Sequence, residues 1–160
     1  MRRHKLDKID RKILNDLQDN GRITNVELAQ HAGISAPPCL RRVRKLEEAG
    51  FIKSYHAVLD PSALGFTVTV FAQVKLSSQA EGDLRKFEEM VASWAEVREC
   101  HMLTGETDYI LKIVAKNWDT YQQFLTQTLT SAPNVSSVKS SLRIRVTKEL
   151  PGVPIDVNER

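Results

Sequence analysis

Three groups of residues have the type and spacing to do chemistry. Arg41, Arg42 and Lys45 follow a tip formed by Ser35, Pro37 and Pro38. Cations along one helix can meet a guanine edge bidentately or neutralise phosphates. Cys100 and His101 are adjacent, with Cys39 far upstream, and thiol and imidazole together raise metal binding or nucleophilic catalysis. Gly105-Glu106-Thr107-Asp108-Tyr109 is the third group. A β-turn accounts for it, since Gly supplies unusual backbone angles and Asp suits turns. The alternative is a ligand contact, in which turn N–H groups take a carboxylate and Asp108 takes an ammonium.

The elements that carry these residues decide among the options. Leu6, Ile9, Ile13 and Leu17 recur at helical spacing, with Asp7 as the expected N-cap and Asn20-Gly21 as the stop. Thr24 and Glu27 make a capping box for a short second helix that would bury Val26, Leu28, Ala29 and Ala32. Gly33-Ile34 breaks it, and Ser35 caps a third helix with Pro37 and Pro38 in its first turn. Cys39, Leu40, Val43 and Leu46 form its expected inward stripe, and Arg41, Arg42 and Lys45 its outward face with Arg44 flanking. Such cations are often only a solvated face, but a capped helix, a Gly turn and a cationic second helix together match a helix-turn-helix. Residues 51–60 read as a hairpin, or wing, packed on the third helix. Thr24, Ser35, Pro37, Pro38, Arg41, Arg42 and Lys45 are therefore the candidate DNA contacts.

From Phe66 the period becomes two. Strands are expected over 66–76, 97–104, 108–115 and 135–148, with helices over 80–93 and 118–132. The order β-α-β-β-α-β is the ferredoxin-like arrangement. The fold class is thus α+β, in two small domains: residues 1–60 a winged helix-turn-helix, 61–66 a linker, 67–150 the ferredoxin-like domain and 151–160 an irregular tail. On a strand, Cys100 and His101 point to opposite faces, and neither has the further ligands a structural zinc needs. Cys100 is expected as a core thiol and His101 as half-buried, with no metal and no nucleophile.

Composition agrees with this reading. The chain has 160 residues, 41% hydrophobic and 27% charged, which suits a globular protein and excludes a disordered or disulfide-stapled one. The net charge is +3, but residues 1–60 hold 12 Lys+Arg against 8 Asp+Glu, an excess of +4. The rest holds 11 against 12, a balance of −1. A basic first third suggests an anionic partner. Met1-Arg2-Arg3-His4-Lys5 is basic with no apolar stretch after it, so no secretory signal or membrane association is expected, and two reduced thiols fit a cytoplasmic location.

Several separated motifs resemble the Lrp/AsnC, or feast/famine, family of transcription regulators. They are the run Leu6 to Leu14, the run Gly21 to Ala29, Cys39 to Glu47 followed by Gly50-Phe51-Ile52, Glu99-Cys100-His101, and Gly105 to Tyr109. The resemblance implies a cytoplasmic, nucleoid-associated regulator that binds double-stranded DNA. It implies homodimers formed through the second domain and commonly assembled into octamers. It also implies an amino-acid effector, no other cofactor, and no enzymatic activity. On the same analogy Met102, Thr104, Gly105, Asp108 and, in the last strand, Leu142 are the effector contacts. Ser35-Ala36-Pro37 stands where the family often has Ser-Pro-Thr, and Gly105-Glu106 where it often has Gly-Asp. Two alternatives to this function are a sirohaem-decarboxylase-like enzyme and an architectural DNA binder without effector. The enzyme needs histidines around a haem-like pocket, and three of the four here, His4, His31 and His56, fall in the first third.

Overall fold

In the computed structural model, which describes residues 5–158, helix α1 (Lys8–Asp19) starts at a capping box. The Asp7 side chain accepts from the Asp10 amide at 2.8 Å, and the Asp7 amide donates to the Asp10 carboxylate at 3.2 Å. Helix α2 (Asn25–Ala32) starts at a second box, between Thr24 and Glu27. Gly33, at φ 74°, ends it in the left-handed region that a sharp turn requires. Helix α3 (Ala36–Glu48) follows at once, with Pro37 in its first turn. The basic start, Met1-Arg2-Arg3-His4, lies outside the described residues.

Ile13, Leu28, Ala29, Ala32, Cys39 and Leu46 form the core of this unit. Two expected core residues are outside it. Val26 is 67% exposed and Leu40 41%. Val26 lies about 110° around α2 from the centre of Leu28, Ala29 and Ala32, and Leu40 turns about 100° from Cys39. The expected hairpin over 51–60 does not form: the segment is irregular, with no strand ladder. It has no Gly or Asn between two strand-like halves to reverse the chain. Tyr55 anchors the segment instead, donating its hydroxyl to Glu47 Oε1 at 2.9 Å.

Residues from Lys148 on also belong to this first unit, together with those up to Val58. The link is a clasp on α1. Gln18 Nε2 donates to the Val153 carbonyl at 2.9 Å, and the Val153 amide donates to Gln18 Oε1 at 2.8 Å. Gly152 passes so close that a Cβ there would overlap the Gln18 side chain.

The second unit, Leu59–Thr147, is built on four antiparallel strands. These are β1 (Val68–Leu76), β2 (Val97–Met102), β3 (Tyr109–Ala115) and β4 (Val135–Leu142), in the order β2-β3-β1-β4. Helix α4 (Glu81–Ser93) joins β1 to β2, and α5 (Trp118–Phe124) with a π-helical turn (Leu125–Leu129) joins β3 to β4. The order is that of the ferredoxin-like fold. Val70, Ala72, Val74 and Leu76 of β1 and Tyr109, Leu111, Ile113 and Ala115 of β3 alternate inward against Leu84, Phe87, Val91, Tyr121, Phe124 and Leu129. β4 stops six residues before the expected Lys148. Leu142 pairs with Val70 and the Arg143 amide still reaches the Thr69 carbonyl at 2.9 Å, but β1 begins at Val68, so residues from 145 on have no strand opposite them. Among the described residues no helix is long and apolar enough to cross a membrane.

Candidate functional site

The outward face of α3 is a groove of about 360 Å³ lined by Pro37, Leu40, Arg41, Arg44, Lys45 and Glu48. Spacings of four, seven and eight from Pro37 to Arg41, Arg44 and Lys45 put these side chains on one side of the helix. Ser35 sits exposed at its N-terminus and its side chain makes no capping bond. Pro37 is exposed and Pro38 half-buried. Thr24 is exposed at the start of α2, but its hydroxyl is committed: it donates to Glu27 Oε2 at 2.7 Å and accepts from the Glu27 amide at 3.2 Å. Of the expected DNA contacts the structure therefore gathers Pro37, Arg41 and Lys45 on one face, with Ser35 at its end. It adds Arg44, which sequence reasoning placed only at the flank; the interval of seven from Pro37 was the signal for it.

Arg42 departs from the expected arrangement. Its NH1 donates to Asp7 Oδ2 and to Asp10 Oδ1, each at 2.7 Å, so its guanidinium faces α1 rather than the groove. The Asp10 carboxylate first and that of Asp7 second hold the guanidinium firmly protonated. Burial pushes the Asp7 carboxyl up, but the Asp10 amide and Arg42 outweigh it, and its pKa lies below the usual carboxylate value. A carboxyl depressed in this way stabilises the fold above its unfolded pKa, and that contribution is lost as pH falls through the folded value.

The second candidate region is the turn between β2 and β3. The Leu103 amide donates to the Asp108 carbonyl at 2.8 Å, closing the turn, and Gly105 holds φ 137°. Met102, Thr104 and Gly105 are exposed there. Asp108 is already engaged. Its Oδ2 accepts from the Leu76 amide at 2.6 Å and its Oδ1 from Gln79 Nε2 at 3.4 Å, so it fastens the turn to the end of β1. Asp108→Ala is expected to destabilise the protein by about 1–3 kcal/mol, because the buried Leu76 amide loses its acceptor. Asp108→Asn keeps an acceptor and should lose less. Urea unfolding midpoints compare the two, and equal losses would disprove this role.

Leu142 does not join that turn within one chain. Met102 pairs with Tyr109, and Tyr109 with Val74, whereas Leu142 pairs with Val70. Four residues of β1 separate the two rows, about 13 Å along the sheet. Cys100 is half-buried against the core while His101 is exposed rather than half-buried, its Nε2 3.4 Å from Glu99 Oε2. Burial pushes the Cys100 thiol up to about 11 and also raises that of Cys39, so both stay protonated and poorly nucleophilic.

Comparison with known proteins matches both units. Residues 6–53 match a family described as winged helix-turn-helix DNA-binding, and residues 69–153 match the Lrp/AsnC ligand binding domain. The chain is 52% identical over 147 residues to a leucine-responsive regulatory protein of Rhizobium meliloti, covering 92% of this chain and 94% of that one. It is 44% identical to the Bkd operon transcriptional regulator of Pseudomonas aeruginosa, over 88% of this chain and 92% of that one. Among solved structures, a transcriptional regulator–L-Met complex from Neisseria meningitidis superposes with a TM-score of 0.91 at 38% identity, over 95% of this chain and 98% of that one.

Proposed function

The chain belongs to the Lrp/AsnC family of transcriptional regulators, and from that premise we propose how its two units work. The outward face of α3 reads DNA. Arg41, Arg44 and Lys45 meet phosphates or guanine edges in the major groove, with Ser35 and Pro37 at the advancing tip. The groove of cations and Leu40 on one helical face is the observation that carries this reading, since Leu40 adds an apolar contact suited to a thymine methyl. Thr24 lies near the backbone that the preceding helix crosses.

The second unit takes an amino acid beside the 103–108 turn, through Met102, Thr104 and Gly105, with Asp108 holding the turn in shape. A similar chain crystallised with L-Met, which supports this ligand class. Leu142 contributes from another copy, since it lies at the far end of its own sheet. The protein acts as a homodimer that assembles further toward an octamer. Met102, Leu142 and Ile144 are exposed apolar side chains that a partner can cover. A two-fold dimer presents paired α3 helices to half-sites about one helical turn apart, or multiples of it. Effector binding shifts the balance among assemblies by its differential affinity for them. The protein is a non-enzymatic, cytoplasmic regulator on this reading.

A screen of the free amino acids on the purified full-length protein tests it, read by melting temperature and by native mass. At least one amino acid is expected to raise the melting temperature and to shift the mass or the affinity for promoter fragments. DNA binding with no amino-acid response of any kind would leave the architectural reading in its place.

A further inference from the structure

Arg42 has the charge and the helix of a DNA contact but not the direction. Its guanidinium bridges two carboxylates of α1 at 2.7 Å each. Both acceptors are themselves fixed, because Asp7 and Asp10 exchange amide–carboxylate bonds across the first turn of α1. Asp10 is 3% exposed, and a buried carboxylate deprived of its cation is strongly disfavoured. Both bonds come from one nitrogen, NH1, and two charged acceptors held on a rigid turn fix its position more closely than a single contact would. On α3, Arg42 sits three residues after Cys39 and four before Leu46, both fully buried, so the same side of the helix carries the apolar seam and the ionic clasp.

We propose that Arg42 is a positioning residue for DNA recognition: it sets the rotation of α3 on α1 and so decides which base edges Arg41 and Arg44 reach, without touching DNA itself. This rests on α3 being the reading helix. The mechanism acts on specificity more than on total attraction. Phosphate contacts depend on the number of cations near the backbone, whereas base contacts depend on placing side chains within hydrogen-bond reach. A small rotation of α3 therefore forfeits the second and leaves most of the first.

The test uses full-length protein, a DNA fragment selected in vitro by the wild-type protein, and a random fragment of equal length, each titrated across a salt series. Arg42→Ala should lower the ratio of selected to random affinity by about tenfold or more, the size of one lost base contact, with the salt slope unchanged. Partial unfolding cannot mimic this, because it lowers both affinities equally. Asp7→Asn supplies a test that keeps the fold, since Asn is as good an N-cap as Asp. It removes one carboxylate from the clasp and makes the protein more positive. A positioning role predicts a lower selected-to-random ratio for Asp7→Asn, by about threefold or more, while random binding holds or rises slightly. A direct phosphate role predicts the reverse: freeing Arg42 strengthens both, and Arg42→Ala lowers the slope by about one and both affinities alike. That result, or an unchanged ratio in Asp7→Asn, overturns the proposal. Should Arg42→Ala fail to fold, Asp7→Asn decides alone. Failure of the reading-helix assignment is separable, because it would show as an unchanged slope when Arg41, Arg44 and Lys45 are replaced together.

Discussion

Replacing Arg41, Arg44 and Lys45 together by Ala is expected to lower affinity for a selected DNA by at least about 100-fold. Each good base contact contributes about 1–3 kcal/mol of discrimination, and each phosphate contact also adds about 0.9 to the salt slope. The three side chains line one groove and none of them belongs to the core of the first unit, so the fold should survive. Melting temperature is expected to change little, which separates this variant from a folding defect. Binding measured from about 50 to 200 mM salt should show the slope falling by up to about 3. An unchanged slope would mean that DNA approaches another surface.

Phe87→Ala is expected to cause the largest loss of stability. Phe87 is fully buried, its ring centroid lies 4.9 Å from that of Tyr109 and 6.1 Å from that of Trp94, and it sits in the cluster that joins α4 to the sheet. Removing such a ring costs about 3–5 kcal/mol, from lost burial and from the cavity left behind. Domains of this size have about 5–15 kcal/mol in total, so the second unit should melt far earlier. Tyr109→Phe is the comparison: it keeps the ring and loses only the hydroxyl bond to Glu88 at 2.8 Å, about 1 kcal/mol. Denaturant midpoints rank the two, and near-equal losses would show that the cluster closes over the gap.

Local chemistry was legible in the sequence wherever its partners are neighbours along the chain. The Thr24–Glu27 box, the left-handed Gly33 and the alternation through β1 and β3 each follow from residues a few positions apart. Arg42 was not legible in this way, because its partner Asp10 lies 32 residues upstream. The expected place of Arg42 was the outward face with Arg41 and Lys45, although it lies only about 60° from Cys39 around α3, and no local signal named the acceptors on the inward side. The fastening of Asp108 was not legible for the same reason: its carboxylate accepts from the amide of Leu76, 32 residues away. Ile144 and Val146 alternate as a strand would, yet pairing also needs a neighbour: Ile144 falls opposite Val68, the first residue of β1, and Val146 falls beyond it. The π-helical turn at Leu125–Leu129 shifts the helical period by one residue over a single turn, a change that period counting does not register.

The clasp between Gln18 and Val153 has a consequence for synthesis of the chain. Proteins emerge from the ribosome N-terminus first, and domains fold as they appear. The three helices that read DNA are made before any of the sheet, but the residues that close onto α1 are made after all of it. The first unit is therefore begun first and finished last. A chain cut after Thr147 carries every helix and strand described above and still lacks that clasp.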